Sequence, residues 1–312
     1  MNLVQENHAS GALLGADQRA WSQNLDGLSI DEVRKVVGAE GDLEPSRSHR
    51  PVVGPILTWL RKCLWRLFGV KPISQQVTSV MNQILASRLA FRKGTWDRAI
   101  FLGIVARNEY RLPESFALHD IVIDIGMHIG GFCFAALMRG CVNVHGFEAE
   151  RENFDLAVRN LQGFGERVHL YHKAVWRSDR MGDTLFHGGY PPDGNTGGGC
   201  ILYRSTGERL DLIAFDDIVR DVTGNGQKRI RLVKIDCEGC EFPILLSSRM
   251  LHLIDNIHGE YHGGVYPSVA HVNGVGRHTI EELTRHLEAF GFSVESIPTP
   301  NSDLGLFFAT RG

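Results

Sequence analysis

Two short segments of the chain carry polar groups in the pattern of a nucleotide site. The glycine-rich turn at 124–131 (Asp-Ile-Gly-Met-His-Ile-Gly-Gly) follows directly on an apolar run at 121–123. Glycine has no Cβ and tolerates positive φ, so such a turn lets the backbone approach a ligand closely. Glu148 ends a second short run about twenty residues later, where a carboxylate can accept hydrogen bonds from both hydroxyls of a ribose. The alternative interpretation is a tight strand-to-helix turn that binds nothing.

The residue at position 128 discriminates between nucleotide ligands. A dinucleotide-binding turn would carry glycines at 126, 128 and 131, the middle one so that the backbone can touch a pyrophosphate. His128 occupies that middle position. Its ring disfavours a pyrophosphate but leaves room for a nucleoside whose tail carries no phosphate, as in S-adenosylmethionine. A nicotinamide-dependent oxidoreductase is therefore disfavoured.

A charged turn at 236–241 (Asp-Cys-Glu-Gly-Cys-Glu) follows a predicted strand at 230–235. Asp236 could orient or deprotonate a hydroxyl group, or it could form a salt bridge or cap a turn. Lys234 lies two residues earlier and so points to the same strand face, where it could pair with a carboxylate. Glu238 could bind a substrate or cap the following helix.

Two further motifs resemble metal sites only superficially. The segment 258–262 (His-Gly-Glu-Tyr-His) lacks the order of a helical zinc motif and is typical of a strand. Its Glu260 and His262 share one strand face, and His262 is a candidate general base or a structural histidine. Cys237 and Cys240 have no second cysteine pair to complete a structural zinc site. We expect packing cysteines and no metal site.

The elements that must position these groups alternate between strand and helix. Helices are predicted at 95–110, 131–139, 151–161 and 279–290, and strands at 121–125, 142–147, 167–171, 230–235 and 256–261. This alternation indicates an α/β fold whose parallel strands are joined by right-handed crossovers. Ligands bind outside the carboxyl ends of such strands, so the charged turns are expected to meet on one rim.

Five motifs, in this order, resemble the FkbM family of S-adenosylmethionine-dependent methyltransferases. They are Asp124-Ile-Gly126, Phe147-Glu148, Lys173-Ala174-Val175, Phe215-Asp-Asp-Ile218 and the block at 233–241. The resemblance spans roughly residues 96–309 and implies a class I methyltransferase fold, Rossmann-like, with a seven-stranded sheet whose last strand is antiparallel. It also implies O-methylation of a hydroxyl on a sugar, glycolipid or natural-product acceptor.

The resemblance assigns roles to individual residues. The predicted contacts of S-adenosyl-L-methionine are Asp124, Gly126, His128, Gly130, Glu148 and Ala174, with Glu148 on the ribose and Ala174 beside the adenine. From the chemistry of their side chains and their places at the strand ends, rather than from the resemblance, the predicted catalytic residues are Asp236, His262 and Lys234, and the predicted substrate contacts are Glu238 and Glu260. One departure is the Met-His pair at 127–128, where the family commonly has Ala-Asn.

Composition limits the class and the compartment of the protein. Hydrophobic residues make up 43% and charged residues 22% of 312, which permits a packed core. The net charge of −3 gives no overall attraction to nucleic acid. Six scattered cysteines suit free thiols in a reducing cytoplasm, and we see neither a signal peptide nor a membrane-spanning helix. We expect a cytoplasmic protein with a small-molecule or lipid-linked acceptor.

The chain divides into a polar arm (1–50), a helical extension (51–94) and the α/β domain (95–312). Residues 55–70 form a basic amphipathic pattern, which suits a helix on an anionic membrane surface or one packed on the domain or on a second copy of the chain. A glycine-rich loop at 188–199 is either a binding loop or a surface insertion. A non-catalytic binding module that uses the basic helix for a membrane or a partner is the alternative function.

Overall fold

The computed structural model describes residues 89–179, 182, 184–189, 194–202, 209–263, 278–299 and 303–312. The predicted polar arm, nearly all of the helical extension and the basic helix at 55–70 lie outside the described residues. No helix in the described part of the chain is long and apolar enough to cross a membrane.

The described elements alternate as the sequence pattern predicts. The helices are α1 (Asp97–Arg107), α2 (Gly131–Met138), α3 (Arg151–Leu161), α4 (Phe215–Val222), α5 (Glu241–Ser247) and α6 (Ile280–Ala289). The strands are β1 (Val122–Ile125), β2 (Val144–Glu148), β3 (Val168–His172), β4 (Ala174–Trp176), β5 (Phe186–His187), β6 (Ile201–Leu202), β7 (Leu212–Ala214), β8 (Leu232–Ile235), β9 (Asn256–His262), β10 (Ser293–Pro298) and β11 (Leu304–Thr310). Most bounds differ from the predicted ones by one to three residues, because helix and strand ends fray.

Seven strands form one sheet in the order β10-β11-β9-β8-β1-β2-β3. The pairs β8–β9, β1–β8, β1–β2 and β2–β3 are parallel. Strand β11 runs antiparallel to both of its neighbours, β9 and β10. The predicted seven-stranded sheet with an antiparallel last strand is confirmed, and this is the class I methyltransferase arrangement.

Four short strands form two small sheets that the sequence pattern does not predict. β4 pairs in parallel with β7, and β5 pairs antiparallel with β6. Each of these strands is two or three residues long. Such strands are too short to show the alternation by which a strand is recognised in a sequence.

The centre of the sheet is buried on both faces. Residues 122–125, which form β1, are at most 2% exposed, as their β-branched run predicts for a strand covered on both sides. The parallel register places Asp124 of β1 directly beside Lys234 of β8. Two charged side chains therefore lie side by side at the middle of the core, one residue before the carboxyl ends of their strands.

Candidate active site

The predicted site residues lie on four adjacent strand ends. Because β9, β8, β1 and β2 are neighbours and parallel, their carboxyl ends meet on one edge of the sheet. These ends carry the glycine-rich turn after β1, Glu148 at the end of β2, the charged turn after β8, and Glu260 and His262 in β9. The predicted convergence on one rim is confirmed.

Lys234 holds the end of β1 to the end of β8. Its Nζ lies 3.2 Å from Oδ1 of Asp124 and donates hydrogen bonds to the carbonyl oxygens of Gly126 (2.6 Å) and Ile125 (3.3 Å). Burial disfavours the charge of Lys234, but the carboxylates of Asp124 and Asp236 keep its pKa above the ordinary value. Lys234 thus pairs with a carboxylate, as its place on the strand face predicts.

Gly126 lies where the glycine-rich turn touches the charged turn. Its φ is +71°, and a Cβ at this position would come within 1.9 Å of the carbonyl oxygen of Asp236. Only glycine fits such a close approach of two backbones. Gly130 also has a positive φ, +91°, and a Cβ there would lie 2.7 Å from Leu161 of α3. Packing alone thus explains both glycines, whether or not the turn binds a ligand.

Glu148 is buried with both carboxylate oxygens facing backbone N–H groups. Oε2 accepts from the N–H of His128 at 2.8 Å, and Oε1 accepts from the N–H of Glu150 at 3.0 Å. Burial raises the pKa of Glu148 to about 7, although these two hydrogen bonds oppose the shift. Each carboxylate oxygen has a second lone pair. The carboxylate can therefore still accept hydrogen bonds from a pair of ribose hydroxyls.

The ring of His128 contacts two segments outside the glycine-rich turn. Its Nε2 lies 2.9 Å from Oγ1 of Thr196, and the Thr196 hydroxyl donates to Oδ1 of Asp97 at 2.6 Å. Thr196 belongs to the predicted glycine-rich loop, and its carbonyl oxygen accepts from the side-chain amide of Asn153. In this arrangement the backbone of His128 contacts Glu148, while the ring joins the turn to residues 97 and 196.

Asp236 combines a fixed carboxylate with access to solvent. Its side chain is 24% exposed, Oδ2 accepts a hydrogen bond from the Tyr110 hydroxyl at 2.7 Å, and Nζ of Lys234 lies 3.9 Å from the same oxygen. Tyr110 itself is buried, and sequence reasoning did not identify it because nothing in its local pattern marks a residue 126 positions away from Asp236.

His262 is surrounded by carboxylates. Its Nδ1 lies 3.2 Å from Glu241, and its Nε2 lies 3.4 Å from Glu238 and 4.0 Å from Glu260. Burial lowers the pKa of His262, but Glu238, Glu241 and Glu260 together raise it well above 6.5. An imidazolium cannot take up a proton, so this geometry favours Asp236 over His262 as the proton acceptor.

Two acidic residues near this group have unusually high pKa values. Burial, with the neighbouring carboxylates, raises the pKa of Glu260 to about 8 and that of Glu109 to about 7. The side chain of Glu260 is 32% exposed, so solvent reaches the cluster. Ala174, by contrast, packs in the hydrophobic core, and its predicted place beside the adenine stays a prediction.

The sheet order, with its antiparallel last strand and an acidic residue ending the second strand, is that of the class I methyltransferase fold. Residues 124–294, more than half of the chain, match the methyltransferase FkbM domain. The chain belongs to the FkbM methyltransferase family, as its motifs predict, and membership implies S-adenosylmethionine as the cofactor.

Comparison with solved structures gives distant likenesses of the fold. A precorrin-6y C5,15-methyltransferase from Geobacter metallireducens is 12% identical, covers 73% of this chain and 94% of its own, and gives a TM-score of 0.37. A precorrin 8w decarboxylase from Methanobacterium thermoautotrophicum is 12% identical, covers 72% and 95%, and gives 0.34. Neither likeness bears on the substrate. No curated protein matches the chain.

Proposed function

We propose that this protein transfers a methyl group from S-adenosylmethionine to a hydroxyl oxygen of a sugar, a glycolipid or a natural product. The observation that carries the proposal is the carboxylate of Asp236, held by Tyr110 and partly exposed at the carboxyl end of β8. Glu148 ends β2, and only β1 lies between β2 and β8 in the sheet. The two carboxylates proposed to hold the cofactor and to take the proton thus lie at the same edge of the sheet.

The residues of the rim suit S-adenosylmethionine. Glu148 offers two carboxylate oxygens for the ribose, and the backbone from Gly126 to Gly130 would face the remainder of the cofactor. Asp124 has no exposed surface, so its effect on the cofactor would pass through the turn that Lys234 holds. When bound, the cofactor supplies an electrophilic methyl group on a sulfonium.

Asp236 would orient the acceptor and take its proton. Methyl transfer is an in-line displacement, so the acceptor oxygen must be aligned and its hydroxyl proton removed. Oδ2 of Asp236 already accepts from Tyr110, which leaves Oδ1 for the hydroxyl of the acceptor. Glu260 and Glu238 would accept hydrogen bonds from further hydroxyls, consistent with a sugar-like or other hydroxylated acceptor, small or lipid-linked.

Calorimetric titration with S-adenosylhomocysteine tests the cofactor site. Glu148→Ala should weaken binding at least tenfold because the ribose hydroxyls lose their acceptor, a cost of about 1.4 kcal/mol or more. Asp236→Asn should leave binding unchanged. The exposed Glu288→Ala is the matched control. Absence of binding to the parent protein in the high-micromolar range would refute the proposed cofactor.

The role of Asp236 requires a turnover assay. Release of S-adenosylhomocysteine, followed over a panel of hydroxylated acceptors, should fall about 100-fold or more in Asp236→Asn, within the range for loss of a general base. Equal loss of cofactor binding in Asp236→Asn and Glu148→Ala would show that the division of roles between these residues is wrong.

A further inference from the structure

Three side chains of metal-ligating type converge between the ends of β8 and β9. They are Asp236, Glu238 and His262, and one ligand atom from each lies within 4.8 Å of the others. Bonds of about 2.0–2.2 Å to a single ion would place ligand atoms roughly 3–4.4 Å apart. Nε2 of His262 and Oε2 of Glu238 are already 3.4 Å apart. If the most distant ligand atoms of the three side chains moved a few tenths of an ångström closer together, all three could contact a single ion.

The ring of His262 is held in the orientation that a metal ligand needs. Metal-binding histidines donate the N–H of the second ring nitrogen to a carboxylate or carbonyl, which fixes the ring and its tautomer. Here Nδ1 lies 3.2 Å from Oε1 of Glu241, a fully buried residue outside the group of three. Glu241 is fixed in turn by the N–H groups of Cys237 (2.8 Å) and Gly239 (2.9 Å). Nε2 is thereby directed toward Glu238.

The charges around the group favour a cation. Asp236, Glu238, Glu241 and Glu260 are all carboxylates close to His262 or to one another. Lys234 lies 3.9 Å from Asp236 but is already engaged by Asp124 and two carbonyl oxygens. One imidazole thus faces the oxygens of three acidic side chains within 4.0 Å, and oxygen atoms so close together favour a cation between them. A divalent cation would supply that positive charge.

We propose that Asp236, Glu238 and His262 bind one divalent cation of the Mn²⁺ or Zn²⁺ type, with the Nε2 proton of His262 released to solvent as the ion binds. Two carboxylates and one imidazole suit these metals, whereas Mg²⁺ and Ca²⁺ prefer sites made of oxygen alone. The proposed metal site differs from the sequence-based expectation of no metal. That expectation rests on the lack of a helical zinc motif and of a second cysteine pair, whereas the proposed ligands come from two separate strand ends.

The cation would also define the class of acceptor, a step that rests on the proposed function. Three protein ligands leave coordination positions open for water or substrate. Asp236 is one of the ligands, so an acceptor oxygen on the ion would lie beside the carboxylate proposed to orient it. An acceptor with two adjacent hydroxyls, such as a sugar, could occupy two open positions and be held in one orientation.

Mn²⁺ titration of the full-length chain, freed of metal with EDTA and desalted, tests the site. Free Mn²⁺ is followed by electron paramagnetic resonance, and we expect one ion per chain. Glu238→Gln and His262→Asn should each weaken binding at least tenfold, while the exposed His252→Asn should bind as the parent does. Zn²⁺ competition should displace the bound Mn²⁺. Two variants are used because His262 is buried and its replacement could impair folding, which circular dichroism would reveal.

The outcomes separate this proposal from the proposed function. Failure of the parent to bind Mn²⁺ or Zn²⁺ below millimolar concentration, or equal binding by parent and Glu238→Gln, overturns the metal site, whatever the result with S-adenosylhomocysteine. Metal binding without S-adenosylhomocysteine binding would keep the site and refute the methyltransferase proposal. Bound Mn²⁺ should enhance water-proton relaxation through its open positions. Lack of enhancement would overturn the role in holding an acceptor.

Discussion

Replacing Lys234 by methionine tests whether the buried ion pair holds the rim together. Nζ of Lys234 lies 3.2 Å from Asp124 and donates to the carbonyl oxygens of Gly126 and Ile125. Methionine has a similar length but neither charge nor donor. Asp124 has no exposed surface, so the variant would leave its carboxylate buried without its cation.

The expected loss of stability is large. Removing one partner of a buried ion pair costs about 3–5 kcal/mol, because the remaining charge stays in a low-dielectric environment. For a domain of this size each kcal/mol lowers Tm by roughly 2–4 °C, so Tm should fall by about 6–20 °C. A loss of this size is a substantial share of the 5–15 kcal/mol that typically stabilises a domain.

Urea unfolding followed by circular dichroism measures this loss against two comparisons. Asp124→Asn combined with Lys234→Met should regain at least about 1 kcal/mol relative to Lys234→Met, because no uncompensated charge remains. Lys173→Met removes an exposed ion pair with Asp211 and should cost less than about 1 kcal/mol. The ion pair would not hold the rim if Lys234→Met lost no more free energy of unfolding than Lys173→Met does. The same conclusion would follow if the double variant were no more stable than Lys234→Met alone.

Three further predictions concern the rim. Gly126→Ala should lower the free energy of unfolding in urea by at least about 2 kcal/mol, because the new Cβ would clash with the carbonyl oxygen of Asp236 and because φ is positive at this residue. A loss below about 1 kcal/mol would contradict the close approach of the two backbones. Tyr110→Phe should lower kcat roughly 3- to 10-fold with unchanged cofactor affinity, and an unchanged kcat would remove Tyr110 from the mechanism. S-adenosylhomocysteine affinity should rise from pH 6 to pH 8 as Glu148, with a pKa of about 7, ionises, whereas Glu148→Gln should show a flat profile.

The pKa of Glu148 also affects stability, with a definite sign. Its pKa in the folded chain, about 7, lies above the ordinary value of 4.5. The folded chain therefore binds this proton more tightly than the unfolded chain does between these pH values. The contribution to stability is present below about pH 4.5 and is lost as the pH rises through 7. The ionised form, which is the form proposed to accept the ribose hydroxyls, is thus the less stable form of the uncomplexed protein.

The architecture and the position of the site were predictable from the sequence because each depends on local pattern. The mainly apolar segments 121–125 and 230–235 mark central strands, and parallel strands carry their ligands at one edge. Asp236 and Glu148 follow such runs directly. Their places on one rim follow from the alternation of strands and helices without knowledge of any side-chain contact.

The contacts that determine chemistry within the site were not predictable, because they join residues distant in sequence. Tyr110 and Asp236 are separated by 126 positions, and Glu241 and His262 by 21. The sequence identifies His262 as a group that titrates near neutral pH, but its three carboxylate neighbours come from the charged turn, from α5 and from β9 itself. Whether a histidine accepts a proton, carries a charge or binds a metal depends on those neighbours.

The glycine-rich turn connects the two halves of the proposed reaction site. Gly126 touches the carbonyl oxygen at Asp236, and two residues later the N–H of His128 donates to Glu148. Lys234 binds the carbonyl oxygen of Gly126, so the ion pair in the core sets the position of the turn. A shift of this turn would move the cofactor residue and the proton acceptor relative to each other. In the proposed reaction, the buried charges of Asp124 and Lys234 would therefore serve the alignment that an in-line methyl transfer requires.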